Sequence, residues 1–141
     1  LKVHYLKGTE NKMKEGYIES EYSIMWIENG IGYQSYKPGI NITLEIAKQM
    51  VKDRIQSFNG IARPVFVDIR SLKSIDAASR RYFASKEAGE LILAGAIYLA
   101  SPLARWAGNV FLNIDVPITP AKLFTDKDKA LEWLERFKYN N

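Results

Sequence analysis

Apolar and polar positions change period several times along this chain, and the changes divide it into elements. Tyr22 to Ile27 is dense in β-branched and aromatic residues, and so is Ile31 to Tyr36. Asn29-Gly30 lies between them, and both residues tolerate positive φ, so the two runs predict a β-hairpin. Pro38-Gly39 closes it. From Leu44 the period lengthens: Ile46, Met50, Val51, Ile55 and Phe58 recur at helical spacing, which predicts one buried helix face. Thr43 is placed to cap that helix and Asn59-Gly60 to stop it. Pro64 opens a short apolar run, Val65 to Ile69, read as a buried strand. Asp76 stands where it can cap a second helix containing Tyr82 and Phe83, with a further turn from Ser85 through Glu90. Leu91 to Ala100 has lost alternation altogether, as expected of a parallel strand covered on both faces. Ser101-Pro102 predicts the cap and first turn of a third helix. Lys122 to Phe124 predicts a last short strand. Thr125-x-x-Asp128 has the form of a capping box, and the final helix is expected to bury Leu131, Leu134 and Phe137.

The predicted order is ββαβαβαβα. Strands alternating with helices imply an α/β fold: a mixed, mostly parallel sheet with right-handed crossovers and one antiparallel hairpin at its start. No internal repeat or linker interrupts it, so residues 16–141 are expected to form one domain. Residues 1–15 are expected to be an N-terminal extension or a tag remnant, since Met13 opens a run that reads like an ordinary start. The N-terminus is too short and polar for a secretory signal. The most apolar stretch, Leu91 to Ala100, is half a membrane span, and Pro102 and Arg105 interrupt its continuation.

Composition narrows the chemistry. Hydrophobic residues make up 47% of 141, enough for a real core. The absence of cysteine removes disulfides, thiolate nucleophiles and cysteine-ligated metal sites, and fits a reducing cytoplasm. His4 is the only histidine, so a histidine-based triad or a multi-histidine metal site is not expected. The net charge of +4 comes from 20 basic and 16 acidic residues spread along the chain, without the clustering of a nucleic-acid footprint. Gly30-x-Gly32 lies in a hairpin and lacks the strand-to-helix context of a phosphate loop. No cofactor and no metal are expected, and no nucleophile–base pair stands out.

The stretch Val67-Asp68-Ile69-Arg70-Ser71-Leu72-Lys73-Ser74-Ile75-Asp76-Ala77-Ala78-Ser79 carries a resemblance. It is similar to the segment of STAS domains, the SpoIIAA-like fold of the sporulation anti-sigma-factor antagonists, in which a strand ending hydrophobic-Asp-hydrophobic leads through a loop to Asp-Ser-Ser-Gly at the start of helix two. Pro120-Ala121-Lys122-Leu123-Phe124-Thr125 followed by Ala130-Leu131-Glu132-Trp133-Leu134 looks like an uncharacterised bacterial branch of STAS-like proteins. The resemblance implies that fold over roughly residues 16–138, and a non-enzymatic protein-interaction module. In the antagonists a partner kinase phosphorylates the second serine of the motif. Here that position is Ala78, the first serine is Ala77 and the glycine is Ser79. A phosphate switch of the family's kind is therefore not expected, and Ser79 lies ~100° further round the helix.

Two surfaces are candidates for binding. Arg70, Ser71, Lys73, Asp76, Ala78, Ser79 and Arg80 bracket the start of the second helix, where unpaired N–H groups add partial positive charge, and suit an anion or an acidic partner. Asp68 ends a strand, where α/β folds often place ligands, or simply organises its own loop. On the third predicted helix Arg105, Asn109 and Asn113 form one narrow polar stripe, and Leu103, Trp106, Val110 and Phe111 surround it. That excess apolar surface predicts self-association as a homodimer. An unknown protein partner is the first expectation. The alternative is a small apolar ligand or lipid, carried as in CRAL-TRIO proteins, and a preformed apolar cavity is the feature that favours it.

Overall fold

The computed structural model describes residues 13–101 and 119–138. Six strands form one sheet in the order β1-β2-β3-β5-β7-β8: Glu15–Glu19, Ser23–Glu28, Ile31–Tyr36, Arg63–Asp68, Ile92–Tyr98 and Ala121–Phe124. The first three run antiparallel, and β3, β5, β7 and β8 are parallel. A second, two-stranded sheet pairs β4 (Asn41–Ile42) with β6 (Ser74–Ile75). Helix α1 (Leu44–Phe58) and α2 (Ala77–Phe83) contact each other, and α3 (Lys127–Glu135) packs on β5, β7 and β8. The mixed, mostly parallel α/β architecture expected from the alternating elements is the one observed.

The hairpin forms as its sequence requires, with Asn29 and Gly30 at φ 53° and 78° and Ile31–Tyr36 pairing residue for residue with Ser23–Glu28. Strands β3, β5 and β7 alternate between two layers. Tyr33, Phe66, Ala94 and Ala96 face the core shared with Ala130 and Leu134 of α3. On the other side Val65 joins Ile27 and Phe58, and Tyr36 joins Met50. Gly32 is needed for this second layer, because a Cβ there would collide with the Phe58 ring.

Four expectations change. The edge strand β1 precedes the predicted hairpin; Gly16, at φ 65°, and a register shift between Glu15 and Ile18 break the alternation that would have revealed it. Strands β4 and β6 are two residues each, too short to show a period. The buried stripe of α1 runs through Ala47, Met50, Val51, Arg54 and Phe58, and Ile46 and Ile55 lie at its margins, only partly buried. The cap of α3 is Asp126, whose carboxylate accepts the Lys129 N–H at 3.1 Å, and not Thr125. The strand runs to Phe124, so the chain needs one more residue to turn before the helix starts. The third predicted helix lies outside the described residues.

Candidate functional site

The sheet face that carries Val65 and Val67 borders a cavity of about 580 Å³. Its floor comes from one side of four parallel strands: Gln34 and Tyr36 of β3, Val65 and Val67 of β5, Gly95 and Ile97 of β7, Ala121 and Leu123 of β8. The pairings Val67↔Ile97 and Ile97↔Leu123 set these side chains in rows across the strands. Arg54 reaches it from α1, and Arg80, Phe83 and Ala84 line it at α2 and its end. The β5–β6 connection contributes Ile69, Arg70, Leu72 and Lys73. The volume falls inside the ~300–1,000 Å³ range of ordinary small-molecule sites, and the lining is largely apolar with a few polar groups, as such sites are.

Exposure separates an inner from an outer end. Arg70, Lys73, Ser74 and Ala100 are exposed and mark the mouth. Gln34, Tyr36 and Arg54 retain 5%, 7% and 4% of their accessible surface and form a buried polar corner. Arg54 donates through Nη2 to the carbonyl of Ala88, and to that of Glu90 at 3.1 Å. Among the described residues its Nε has no acceptor, and neither has Nε2 of Gln34. Burial lowers the Arg54 pKa to about 10, which leaves the guanidinium charged at neutral pH. Burial pushes the Tyr36 phenol well above its ordinary range. A sheet residue with no Cβ completes the space: a side chain added at Gly95 would meet nothing within 4 Å among the described residues.

The residues singled out at the start of α2 divide. Arg70, Lys73 and Arg80 all line the cavity. Arg70 is held there: it makes a bidentate pair with Asp68 at 3.0 and 2.9 Å, and its guanidinium lies 4.5 Å from the Tyr98 ring centre. The Asp68 carboxylate also accepts the Arg70 backbone N–H at 3.1 Å, so Asp68 organises its own loop. Asp76 caps α2 through the Ser79 N–H at 2.7 Å. Ser79 is completely buried, and its hydroxyl donates to the Ile42 carbonyl at 3.3 Å. Ala78 is half-buried and Ser71 exposed, and neither lines the cavity. Leu103, Trp106, Val110 and Phe111 lie outside the described residues.

Gln34, Tyr36 and Arg54 escaped the sequence reading. A glutamine between two tyrosines in a strand reads as a solvent-facing position. The available signal was Arg54 itself, which stands four residues after Met50 and four before Phe58, on the apolar stripe of α1. Among the described residues no cluster of three or more His, Asp or Glu side chains could hold a metal ion, and no helix is long and apolar enough to cross a membrane.

The fold has a solved counterpart. An uncharacterised protein of the DUF3478 family from Shewanella loihica, with a SpoIIAA-like fold, superposes with a TM-score of 0.58 at 22% identity, over 83% of this chain and 98% of the other. This is the fold that the Asp68–Ser79 segment had suggested. No curated protein sequence matches the chain. The model of the family described as Domain of unknown function (DUF7793) matches residues 25–138, four-fifths of the sequence, and the chain belongs to that family.

Proposed function

We propose that this chain is a non-enzymatic, STAS-like binding module that takes a small apolar ligand into the cavity between its sheet and helices α1 and α2. The observation that carries this reading is the cavity, about 580 Å³, with Val, Ile and Leu side chains of the sheet and its flanking segments along much of its wall. An apolar hollow of this size forgoes dispersion contacts that a well-fitted occupant would restore. Gly95 supports the reading. It sits mid-strand, where glycine is unfavourable, at a φ any residue could adopt, and its missing side chain leaves the hollow open.

The protein-interaction reading is not displaced, because Arg70, Lys73 and Arg80 stand at the same cavity. A ligand would alter the surface that carries them, so occupancy is a means of control. The family's phosphate switch is not available to this surface. Ala78 replaces the phosphorylated serine, and the Ser79 hydroxyl next to it is buried against Ile42.

The test uses delipidated protein titrated with decanol and followed by calorimetry. Wild type is expected to bind. Gly95→Leu is expected to fold with an unchanged circular dichroism spectrum and to bind at least about tenfold more weakly, because its side chain occupies the hollow. No binding by wild type, or equal binding by both proteins, overturns the reading.

A further inference from the structure

We infer that the inner corner of the cavity selects a ligand with a carboxylate head, a medium-chain alkyl carboxylate, bound at Arg54 and Gln34. The inference rests on the ligand-binding reading of the cavity and names the ligand's chemistry.

Arg54 and Gln34 come from different elements, α1 and β3, and both reach the same hollow. Both are more than nine-tenths buried, and each has one nitrogen without an acceptor among the described residues. A buried unsatisfied donor forfeits its hydration without replacement. Two of them belong to residues that line one cavity, and buried polar groups in folded proteins are nearly always paired.

Charge points the same way. The Arg54 partners are two neutral backbone carbonyls, and among the described residues it takes part in no ion pair. Asp53, the neighbouring buried carboxylate, accepts from Gln49 at 2.8 Å. The Glu90 carboxylate acts on the guanidinium only at a distance, so among the described residues it is a buried cation without a direct ion pair, an arrangement that an incoming anion would stabilise. Nη2 is occupied by Ala88 and Glu90. The rest of the guanidinium and the Gln34 amide are the donor types whose N–H groups a carboxylate's two oxygens accept together. Beyond that corner the wall is Val65, Val67, Ile97 and Leu123, which suits an unbranched alkyl chain running toward the mouth.

The experiment compares decanoate with decanol and methyl decanoate, equal in chain length, on the full delipidated chain by titration calorimetry. Wild type is expected to bind decanoate at least about tenfold more tightly than either neutral compound. Gln34→Leu removes an unpaired donor and keeps the volume, so the apo protein should fold as wild type does. In Gln34→Leu and in Arg54→Gln the preference for decanoate over decanol should fall below about threefold. Equal binding of decanoate and decanol overturns the head-group assignment and leaves the cavity reading standing. A preference that survives Gln34→Leu and disappears in Lys73→Gln moves the head to the mouth and also overturns it. Binding of none of the three compounds overturns the cavity reading itself.

Discussion

Ser79 shows how far one side chain constrains regulation. Its hydroxyl donates to Ile42, its N–H donates to Asp76, and it has no accessible surface. A charge placed there would lose its hydration. Ser79→Asp is expected to cost roughly 3 kcal/mol or more, read as a lowered urea midpoint. Its partner Asp76 gives a pH signature. Hydrogen bonding from Ser79 holds the Asp76 carboxyl below its ordinary value of 3.8. A depressed folded-state pKa gives stability that is present above the ordinary value and is lost as the pH falls through the lowered one. Asp76→Asn keeps a capping oxygen and removes the titration. Its urea midpoint should therefore fall less than that of wild type when the pH is lowered from about 5 to 3.

At the scale of elements, the sequence marks long periodic segments well and short ones poorly. Helix α1 and the hairpin were legible because each repeats its pattern over several residues, and β7 because a long apolar run without alternation marks a strand covered on both faces. Strands β4 and β6 were not, since two residues carry no period. The α3 cap failed for a different reason: Thr125 and Asp126 are adjacent, and both residue types cap helices. The two assignments separate experimentally. Asp126→Ala removes the acceptor of the Lys129 N–H and should cost about 1 kcal/mol, whereas Thr125→Ala should stay within about 0.5 kcal/mol of wild type in chemical denaturation. The edge strand β1 has its own expectation. It covers β2, and it is fastened by Ser57 Oγ donating to the Gly16 carbonyl at 2.6 Å and by the Glu15–Arg63 pair at 3.1 Å. A chain beginning at Glu21 would present the apolar strand Ser23–Glu28 as a bare edge. It should aggregate at concentrations where the full chain stays dispersed, as read by light scattering.

For the whole molecule, the fold was legible and the cavity was not. Element order and the Asp68–Ser79 segment carry the architecture, because both are local or sequential. The cavity is assembled from strands β3, β5, β7 and β8, helix α1 and the region of α2, and no window of sequence contains it. Basic residues near α2 could be found by charge alone, which is why Arg70, Lys73 and Arg80 were visible, while Arg54 and Gln34 look ordinary until the sheet brings them together. The aromatic row on the opposite face of that sheet has a further consequence. Trp26 stacks on Tyr33 at 5.3 Å, Tyr33 meets Phe66 at 5.6 Å, and Phe66 meets Tyr98 at 5.5 Å. Tyr33 is the chain neighbour of Gln34, Phe66 lies between Val65 and Val67, and Tyr98 follows Ile97. Because side chains alternate along a strand, the fold's fastening and its chamber are written as two interleaved combs on the same strands. Drift in one comb can retune what the chamber accepts while the other stays fixed, and a slip of a single residue in register would exchange the two sets.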